Sequence, residues 1–459
     1  MVNQQELIVA IATAAGPGAI AVIRLSGKNC FSVVDLIFQG KKKVSEAKGN
    51  TILYGSIFEG DQLLDEVLVS VFKSPFTYTG EDTVEISCHG SQYIQQRILE
   101  VLIQKGARLA RPGEFTMRSF LNGKKDLLQA EAVADLIAAE NEASHQMAMH
   151  QMRGGFSDDL SKLRDDLVHF AALIELELDF SQEDVEFADR DALKNLVVAI
   201  RKGIGKLLSS FRLGNALKNG VPVAIAGEPN VGKSTLLNAL LHEERAIVSD
   251  IAGTTRDTIE DVVVLEGIRF RFIDTAGIRE TKDTIEQLGI ERTFEKIRSA
   301  ALVLVLVDIT KTSMQGIEQV WATINQELRK EAELVLVFNK SDAVDADLLK
   351  EYSSRFREAA VISAKNGLGL DSLVAEMVAR VGNKPVKGST VVTNARHYES
   401  LYKADQALEE VLQGIEGGIS NDFVAIDIRK SLFHLGEITG TITSDELLGS
   451  IFGRFCIGK

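Results

Sequence analysis

Apolar side chains recur every three or four residues through two long proline-free stretches of the chain, the pattern of helices that each bury one stripe. Between Pro112 and Pro222 one stripe runs through Leu160, Leu163, Leu167, Phe170 and Ile174, and a second through Leu193, Val197, Ile200, Ile204, Leu207 and Phe211. After Pro385 the spacing returns at Leu401, Ala404, Leu408 and Val411, then at Ile428, Leu432 and Leu435. An interior proline costs a helix about 3 kcal/mol, so stretches without one can hold long helices. A last helix is expected to open on a capping box of Thr443 with Glu446 and to bury Leu448, Ile451, Phe452 and Phe455.

Between these helical blocks the pattern changes to short β-rich runs at 221–226, 262–265, 268–273, 302–307 and 334–338. Strands separated by helix-length segments indicate an α/β domain. Neither flanking block looks self-sufficient, so the α/β stretch reads as an insertion into a helical domain. Nearer the N-terminus the period is two, with Val67, Val69 and Val71, then Val84, Ile86 and Cys88, followed by a helix over 92–105. That first region reads as a separate α+β unit.

Composition narrows the classes. With 459 residues, 45% of them apolar and 25% charged, the chain can bury a core and has room for about three domains. Its net charge of −14 argues against a protein that coats nucleic acid non-specifically, though not against a local basic patch. Cys30, Cys88 and Cys456 lie far apart with no CxxC, which excludes a disulfide framework and a structural zinc site. The seven histidines show no metal-ligand spacing. The longest pure apolar run, 300–307, is far short of the roughly 20 residues that span a bilayer. The segment MVNQQELIVA carries Glu6 and no basic region, so no secretory signal is read there and a cytoplasmic location is expected.

The first chemical motif is Gly227-Glu-Pro-Asn-Val-Gly232-Lys233-Ser234, set between the run 221–226 and an apolar helix carrying Leu236, Leu237, Leu240 and Leu241. In that context it matches a phosphate-binding loop: glycines let backbone N–H groups wrap phosphate oxygens, Lys233 reaches the β/γ-phosphates and Ser234 ligates Mg²⁺. Asp274-Thr275-Ala276-Gly277 follows the run 268–273 and sets a carboxylate near the metal. Asn339-Lys340-Ser341-Asp342 follows another strand, and the Asp342 carboxylate can accept both N–H donors on the edge of guanine, a pairing adenine cannot offer. Ser363-Ala364-Lys365 completes a base pocket. Four elements in order, each at a strand end, point to GTP. Gly253-Thr254-Thr255-Arg256-Asp257 occupies the position of a switch whose threonine, Thr255, ligates Mg²⁺ when the γ-phosphate is present. Nucleotide contacts are expected from Asn230, Val231, Gly232, Lys233, Ser234, Thr235, Ser249, Thr254, Thr255, Asp274, Thr275, Ala276, Gly277, Asn339, Lys340, Asp342, Ser363, Ala364 and Lys365.

Ile278 stands where Ras-like enzymes carry the glutamine that orients the attacking water, so that task must fall elsewhere. Glu280, Asp283, Glu286 and Glu291 are acidic candidates; Arg256 and Arg279 are candidate arginine fingers.

With these motifs on the page, the chain resembles the tRNA-modification GTPase family called MnmE or TrmE over its whole length. The G-domain motifs are shared with ribosome-associated GTPases; Arg111-Pro-Gly-Glu-Phe-Thr116, Phe120-Leu-Asn-Gly-Lys124, Asp126-Leu-Leu-Gln-Ala-Glu-Ala132 and Phe455-Cys-Ile-Gly-Lys459 discriminate better. The resemblance implies a multidomain α/β and α fold. In it, residues 1–118 form an α+β tetrahydrofolate-binding and dimerisation domain, and 119–216 with 385–459 a helical domain. That helical domain is split by a Ras-like P-loop G domain at 217–384. It also implies a homodimer that works with an FAD-dependent partner of the MnmG (GidA) type, as a heterotetramer. The joint reaction adds a carboxymethylaminomethyl-type group to carbon 5 of the wobble uridine of certain tRNAs, using 5,10-methylene- or 5-formyl-tetrahydrofolate.

Residue by residue, the family's potassium ligands fall on Asn230, Ser249, Ile251 and Thr254, and its water-orienting acid on Glu286. Ser249 stands where the family carries threonine, a change that a backbone-carbonyl ligand tolerates. A monovalent cation beside the β/γ-phosphates would supply the charge of an arginine finger. The folate positions correspond to Arg24, Glu85, Lys124 and Lys459: a carboxylate suits the N–H-rich edge of a pterin, and lysines suit an anionic glutamate tail. Cys456 is either a small buried hydrophobe or a thiol acting in the modification. A ribosome-assembly GTPase is the alternative function, although no added RNA-binding module is visible, and a pure switch with negligible catalysis is a third.

Overall fold

The computed structural model describes residues 6–179, 190–241, 261–273, 294–295, 297–328, 332–381 and 390–458. They form two compact units, one of Met1–Ala138, Ala148–Lys202 and Ser400–Lys459, the other of Ala139–Met147 and Gly203–Glu399.

In the first unit, period-two alternation builds a seven-stranded sheet: β1 (Ile8–Ile11), β2 (Ile20–Ser26), β3 (Phe38–Gly40), β4 (Thr51–Glu59), β5 (Gln62–Phe72), β6 (Thr83–His89) and β7 (Arg108–Leu109). They lie in the order β3-β4-β5-β6-β2-β1-β7, antiparallel except for β1 with β7. One face presents Val9, Ile23, Leu25, Val67, Val69, Val71, Val84, Ile86 and Cys88 to a core closed by Ile98, Val101 and Leu102 of the helix Gln92–Gln104. The other face carries the alternate residues, among them Arg24 and Glu85, which stand directly opposite one another in the β2–β6 register.

The same unit contains helices with the expected stripes. In Gly155–Asp179 the buried residues include Leu160, Leu167 and Ile174; in the first half of Arg190–Asn219, Leu193, Val197 and Ile200. Leu401, Ala404, Leu408 and Val411 of Ala395–Glu416 and Ile428 and Leu435 of Asn421–Thr439 are buried, each such side chain contributing about 1.5–3 kcal/mol by leaving water if it is a Leu, Ile or Val. Arg201 binds Asp405 at 2.9 Å and Lys194 binds Glu416 at 2.7 Å, joining segments some two hundred residues apart. The last helix, Asp445–Phe452, corrects one expectation: its cap is Ser444, whose hydroxyl accepts the Leu447 N–H at 3.2 Å, and not Thr443. Ser444 has the extended backbone (φ −117°, ψ 155°) that an N-cap requires.

In the second unit, β8 (Val221–Ala226), β9 (Asp261–Leu265), β10 (Ile268–Phe272), β11 (Leu302–Asp308), β12 (Glu333–Asn339) and β13 (Ala360–Val361) form a sheet in the order β13-β12-β11-β8-β10-β9. All neighbours are parallel except β9 with β10. Every residue of β11 is buried because helices cover both faces, as a parallel sheet demands. Parallel strands aim their C-terminal ends at one edge, where ligands of such sheets bind.

Candidate functional site

The residues after β8, β11, β12 and β13 meet at that edge. The glycine loop joins β8 to the helix Lys233–Leu241. Gly227 (φ +151°) and Gly232 (φ +106°) adopt conformations that side chains resist. A Cβ on Gly227 would stand 2.4 Å from the Leu306 carbonyl oxygen, and one on Gly232 2.4 Å from Asn339 Nδ2. Close approach of the Leu306 backbone to one and of the Asn339 side chain to the other therefore fixes both glycines. Val231 is buried and anchors the loop, while Asn230 (φ +62°) is exposed above it. Lys233 Nζ donates to the carbonyls of Gly227 at 2.7 Å and Glu228 at 3.2 Å, holding the ammonium across the loop mouth. Ser234 and Thr235 follow in the first turn of the helix, the second of them exposed. A glycine-rich loop, a helix N-terminus and an ammonium converge here, which is the chemistry of a polyphosphate site.

The base side is built on Asn339, the last residue of β12 and 2% exposed. Its Nδ2 donates to the Val231 carbonyl at 2.8 Å and its Oδ1 accepts the Ala364 N–H at 3.0 Å, tying the glycine loop to the Ser363-Ala364-Lys365 segment. Lys340, at φ +66°, donates from Nζ to Asp308 Oδ2 at 2.5 Å and to the Asn230 carbonyl at 3.3 Å. Asp342 lies exposed in the turn Ser341–Ala343. A hydrogen bond from Ser363 holds its carboxyl below the usual range, with Lys365 and Asn366 adding to the effect. An ionised Asp342 is the acceptor that guanine's two edge N–H groups need.

Sequence reasoning missed three contributors: Asp308, Thr310 and Asn366. The apolar run was expected to stop at Val307, yet β11 extends to Asp308, which is 6% exposed. Its carboxylate accepts from Lys340, the Thr310 hydroxyl (2.5 Å) and the Thr310 N–H (3.0 Å). Burial alone would raise this carboxyl, but those bonds outweigh it and hold it below the usual range. The signal that could have found it was one acidic residue ending a wholly apolar strand. Ser249, Ile251, Thr254, Thr255, Asp274, Thr275, Ala276, Gly277 and Glu286 lie outside the described residues, as do Arg256, Ile278, Arg279, Glu280, Asp283 and Glu291.

On the other unit's sheet, Arg24 Nε donates to Glu85 Oε1 at 2.8 Å, with the pair half-buried at 24% and 27% side-chain exposure. The Arg24 guanidinium lies 5.6 Å from the Tyr78 ring centroid and 5.7 Å from that of Phe115. Lys125 Nζ lies 5.4 Å from the same Tyr78 ring, and Lys124 Nζ 5.9 Å from that of Phe76. Arg24 and Glu85 are thus brought together beside two aromatic rings that spacing did not reveal. Cys456 is exposed and its carbonyl accepts the Gly113 N–H at 3.4 Å; a Cβ on Gly458 would stand 2.2 Å from the Ile11 carbonyl. Lys459 lies outside the described residues.

Beneath these groups Glu114 and Arg118, both with fully buried side chains, form an ion pair at 3.0 Å, extended by Arg108 at 2.8 Å from Glu114 and by Glu81 at 3.1 Å from Arg118. The Arg111 N–H donates to Glu114 Oε2 at 2.8 Å. The stretch Arg111-Pro-Gly-Glu-Phe-Thr116 therefore earns its composition in folding: its acid knots β7, the following helix and the loop before β6.

A glycine loop, an asparagine strut and an exposed carboxylate in the NKxD turn, all on the C-terminal edge of a parallel sheet, have the arrangement of a P-loop GTPase. Comparison with known proteins carries this further. Residues 7–124 match the model described as GTP-binding protein TrmE N-terminus, and residues 127–456 that of the MnmE helical domain. Proteins named tRNA modification GTPase MnmE are similar throughout: that of Flavobacterium psychrophilum is 52% identical over 99% of each chain. The Christiangramia forsetii protein is 53% identical over 99% of each, and that of Bacteroides thetaiotaomicron 52% identical over 99% of this chain and all of its own. The G domain of the FeoB iron transporter of T. maritima matches 35% of this chain and 98% of its own at 24% identity, with a TM-score of 0.26. The chain belongs to the MnmE (TrmE) family of tRNA modification GTPases. Among the described residues no helix is long and apolar enough to cross a membrane.

Proposed function

We propose that the protein hydrolyses GTP to GDP and phosphate as part of a cytoplasmic complex that modifies carbon 5 of the wobble uridine in certain tRNAs. The observation that carries the reading is the guanine and polyphosphate site assembled from four strand ends in a chain of this family. In this reading the domains are 1–118, a helical domain of 119–216 with 385–459, and a G domain of 217–384.

Lys233 and the loop N–H groups hold the phosphates. Ser234 and Thr255 would hold Mg²⁺, which supplies charge neutralisation between phosphates when bound. The exposed Asn230 carries the loop's one left-handed non-glycine residue, and with Ser249, Ile251 and Thr254 it would hold K⁺, placing positive charge where an arginine finger would act. Glu286 would orient the attacking water, the task that Ile278 cannot perform.

Arg24, Glu85, Lys124 and Lys459 would hold a tetrahydrofolate, which supplies the one-carbon unit when bound. The half-buried Arg24–Glu85 pair beside the Tyr78 and Phe115 rings suits a flat heterocycle with a polar edge, and the nearby Lys124 suits an anionic tail. Exposed Cys456 is available as the thiol. Ile52, Tyr54 and Leu68, each 46–66% exposed on one face of the N-terminal sheet, support a homodimer formed through that unit. The net charge of −14 fits a division of labour in which an FAD-dependent partner of the MnmG type supplies much of the tRNA contact.

Mass spectrometry of wobble nucleosides tests both halves together. Cells lacking the protein should lose the modified uridine, and neither Glu286→Ala nor Cys456→Ser should restore it. Normal levels in the deletion strain would refute the reading. GTP turnover that is fast in potassium and slow in sodium is the accompanying expectation for the purified protein.

A further inference from the structure

We propose that Asp308 is a positioning residue for guanine-nucleotide binding, fixing Lys340 so that base and phosphate recognition act together. Lys340 has three donors on a flexible four-carbon stem, and ordering such a stem costs rotamer entropy. A nucleotide that had to order it alone would bind more weakly. Here the ammonium is already held at two points, by Asp308 Oδ2 at 2.5 Å and by the Asn230 carbonyl of the glycine loop at 3.3 Å.

Asp308 can do this because it is itself fixed. It ends a strand that is buried throughout, it is 6% exposed, and its other oxygen is occupied by the Thr310 hydroxyl and N–H. Lys340, by contrast, is 35% exposed at its side chain and sits on backbone at φ +66°, between Asn339 below and Asp342 at the base edge. The buried partner is the acid and the more exposed one the lysine, so the order imposed runs from β11 to the base pocket. The same ammonium links that pocket to the loop that grips the phosphates. This inference deepens the reading of the guanine site and names a residue outside every motif.

An effect routed through Lys340 does not involve the exocyclic 2-amino group that Asp342 reads. Asp308→Asn keeps the shape and an acceptor for Thr310 but removes the charge. It should weaken GDP and IDP binding equally, by about tenfold, and raise the KM for GTP while leaving kcat within about twofold. In a Lys340→Met background the same substitution should change GDP binding by less than twofold, since the partner through which it acts is gone. Titrations with fluorescent GDP and IDP analogues on the four full-length proteins read the affinities, and steady-state phosphate release from GTP reads KM and kcat. An equal loss in both backgrounds, unequal losses for GDP and IDP, or no loss would each overturn the proposal. If Asp308→Asn fails to fold, Asp308→Ser enters the same cycle; failure of both to fold would make Asp308 a packing residue and equally overturn it. Wild-type protein that binds neither nucleotide would instead refute the guanine site itself.

Discussion

Replacing Glu114 by glutamine tests whether the arginine-rich stretch 108–118 is a folding knot. Glu114 accepts four N–H bonds, from Arg108 Nη1 (3.0 Å) and Nη2 (2.8 Å), Arg118 Nη2 (3.0 Å) and the Arg111 backbone (2.8 Å). Removing one partner of a buried ion pair costs about 3–5 kcal/mol, because the other charge stays desolvated. Glutamine keeps an acceptor for Arg111, and Arg118 retains Glu81, so the low end, about 3 kcal/mol, is expected. The pH dependence has a definite sign. Burial alone would raise the Glu114 carboxyl, but the bonds from Arg108, Arg111 and Arg118 prevail and hold it below its ordinary value. A carboxyl depressed by folding stabilises fully above its unfolded pKa of about 4.3 and loses that contribution as the pH falls through the folded value. Urea unfolding followed by far-UV circular dichroism should thus show the full gap between wild type and Glu114→Gln at pH 7, narrowing at pH values under about 4 with an unchanged m-value. A gap of less than about 1 kcal/mol at pH 7, or one that ignores pH, would refute the reasoning.

Gly232→Ala places a Cβ 2.4 Å from Asn339 Nδ2 at φ +106°; nucleotide affinity measured by fluorescence titration should fall by about one to two orders of magnitude, given about 1–3 kcal/mol of strain. Asn339→Ala strands the buried Val231 carbonyl and Ala364 N–H, each worth about 1–3 kcal/mol unpaired, so thermal unfolding should begin at lower temperature even without nucleotide. Iodoacetamide at pH 8 should label Cys456 alone in the native protein, since burial raises the Cys30 thiol strongly and pushes that of Cys88 up to about 11; peptide mapping that finds Cys30 or Cys88 alkylated at the same rate would contradict the fold.

The long helical stripes and the strand ends carrying the glycine loop and Asn339 were legible because periodicity and motif spacing are local. Asp308 was not, because hydrophobic runs mark where apolar burial stops and say nothing of a buried acid just beyond it. Thr443 and Ser444 are chemically interchangeable caps, and it is the residue directly before the helix, Ser444, whose hydroxyl accepts the Leu447 N–H. The rings beside Arg24 come from Tyr78 and Phe115, which reach it through sheet pairing and the packing of a later helix; no window along the chain contains all three. The pairing of Arg24 with Glu85 likewise depends on register, which a list of charged positions does not disclose.

The seating of Gly458 against Ile11 has a temporal side. Their separation, 458 − 11 = 447 residues, corresponds to roughly 20–90 s of synthesis at about 5–20 residues per second. During that interval the N-terminal sheet can pair while the strip of β1 that will meet Gly458 stays open to water or to a chaperone. The contact of Gly458 with β1 therefore forms only after the nucleotide loop at 227–234 has been made, and a ribosome stalled between the two would hold a nascent chain with that loop but without Cys456.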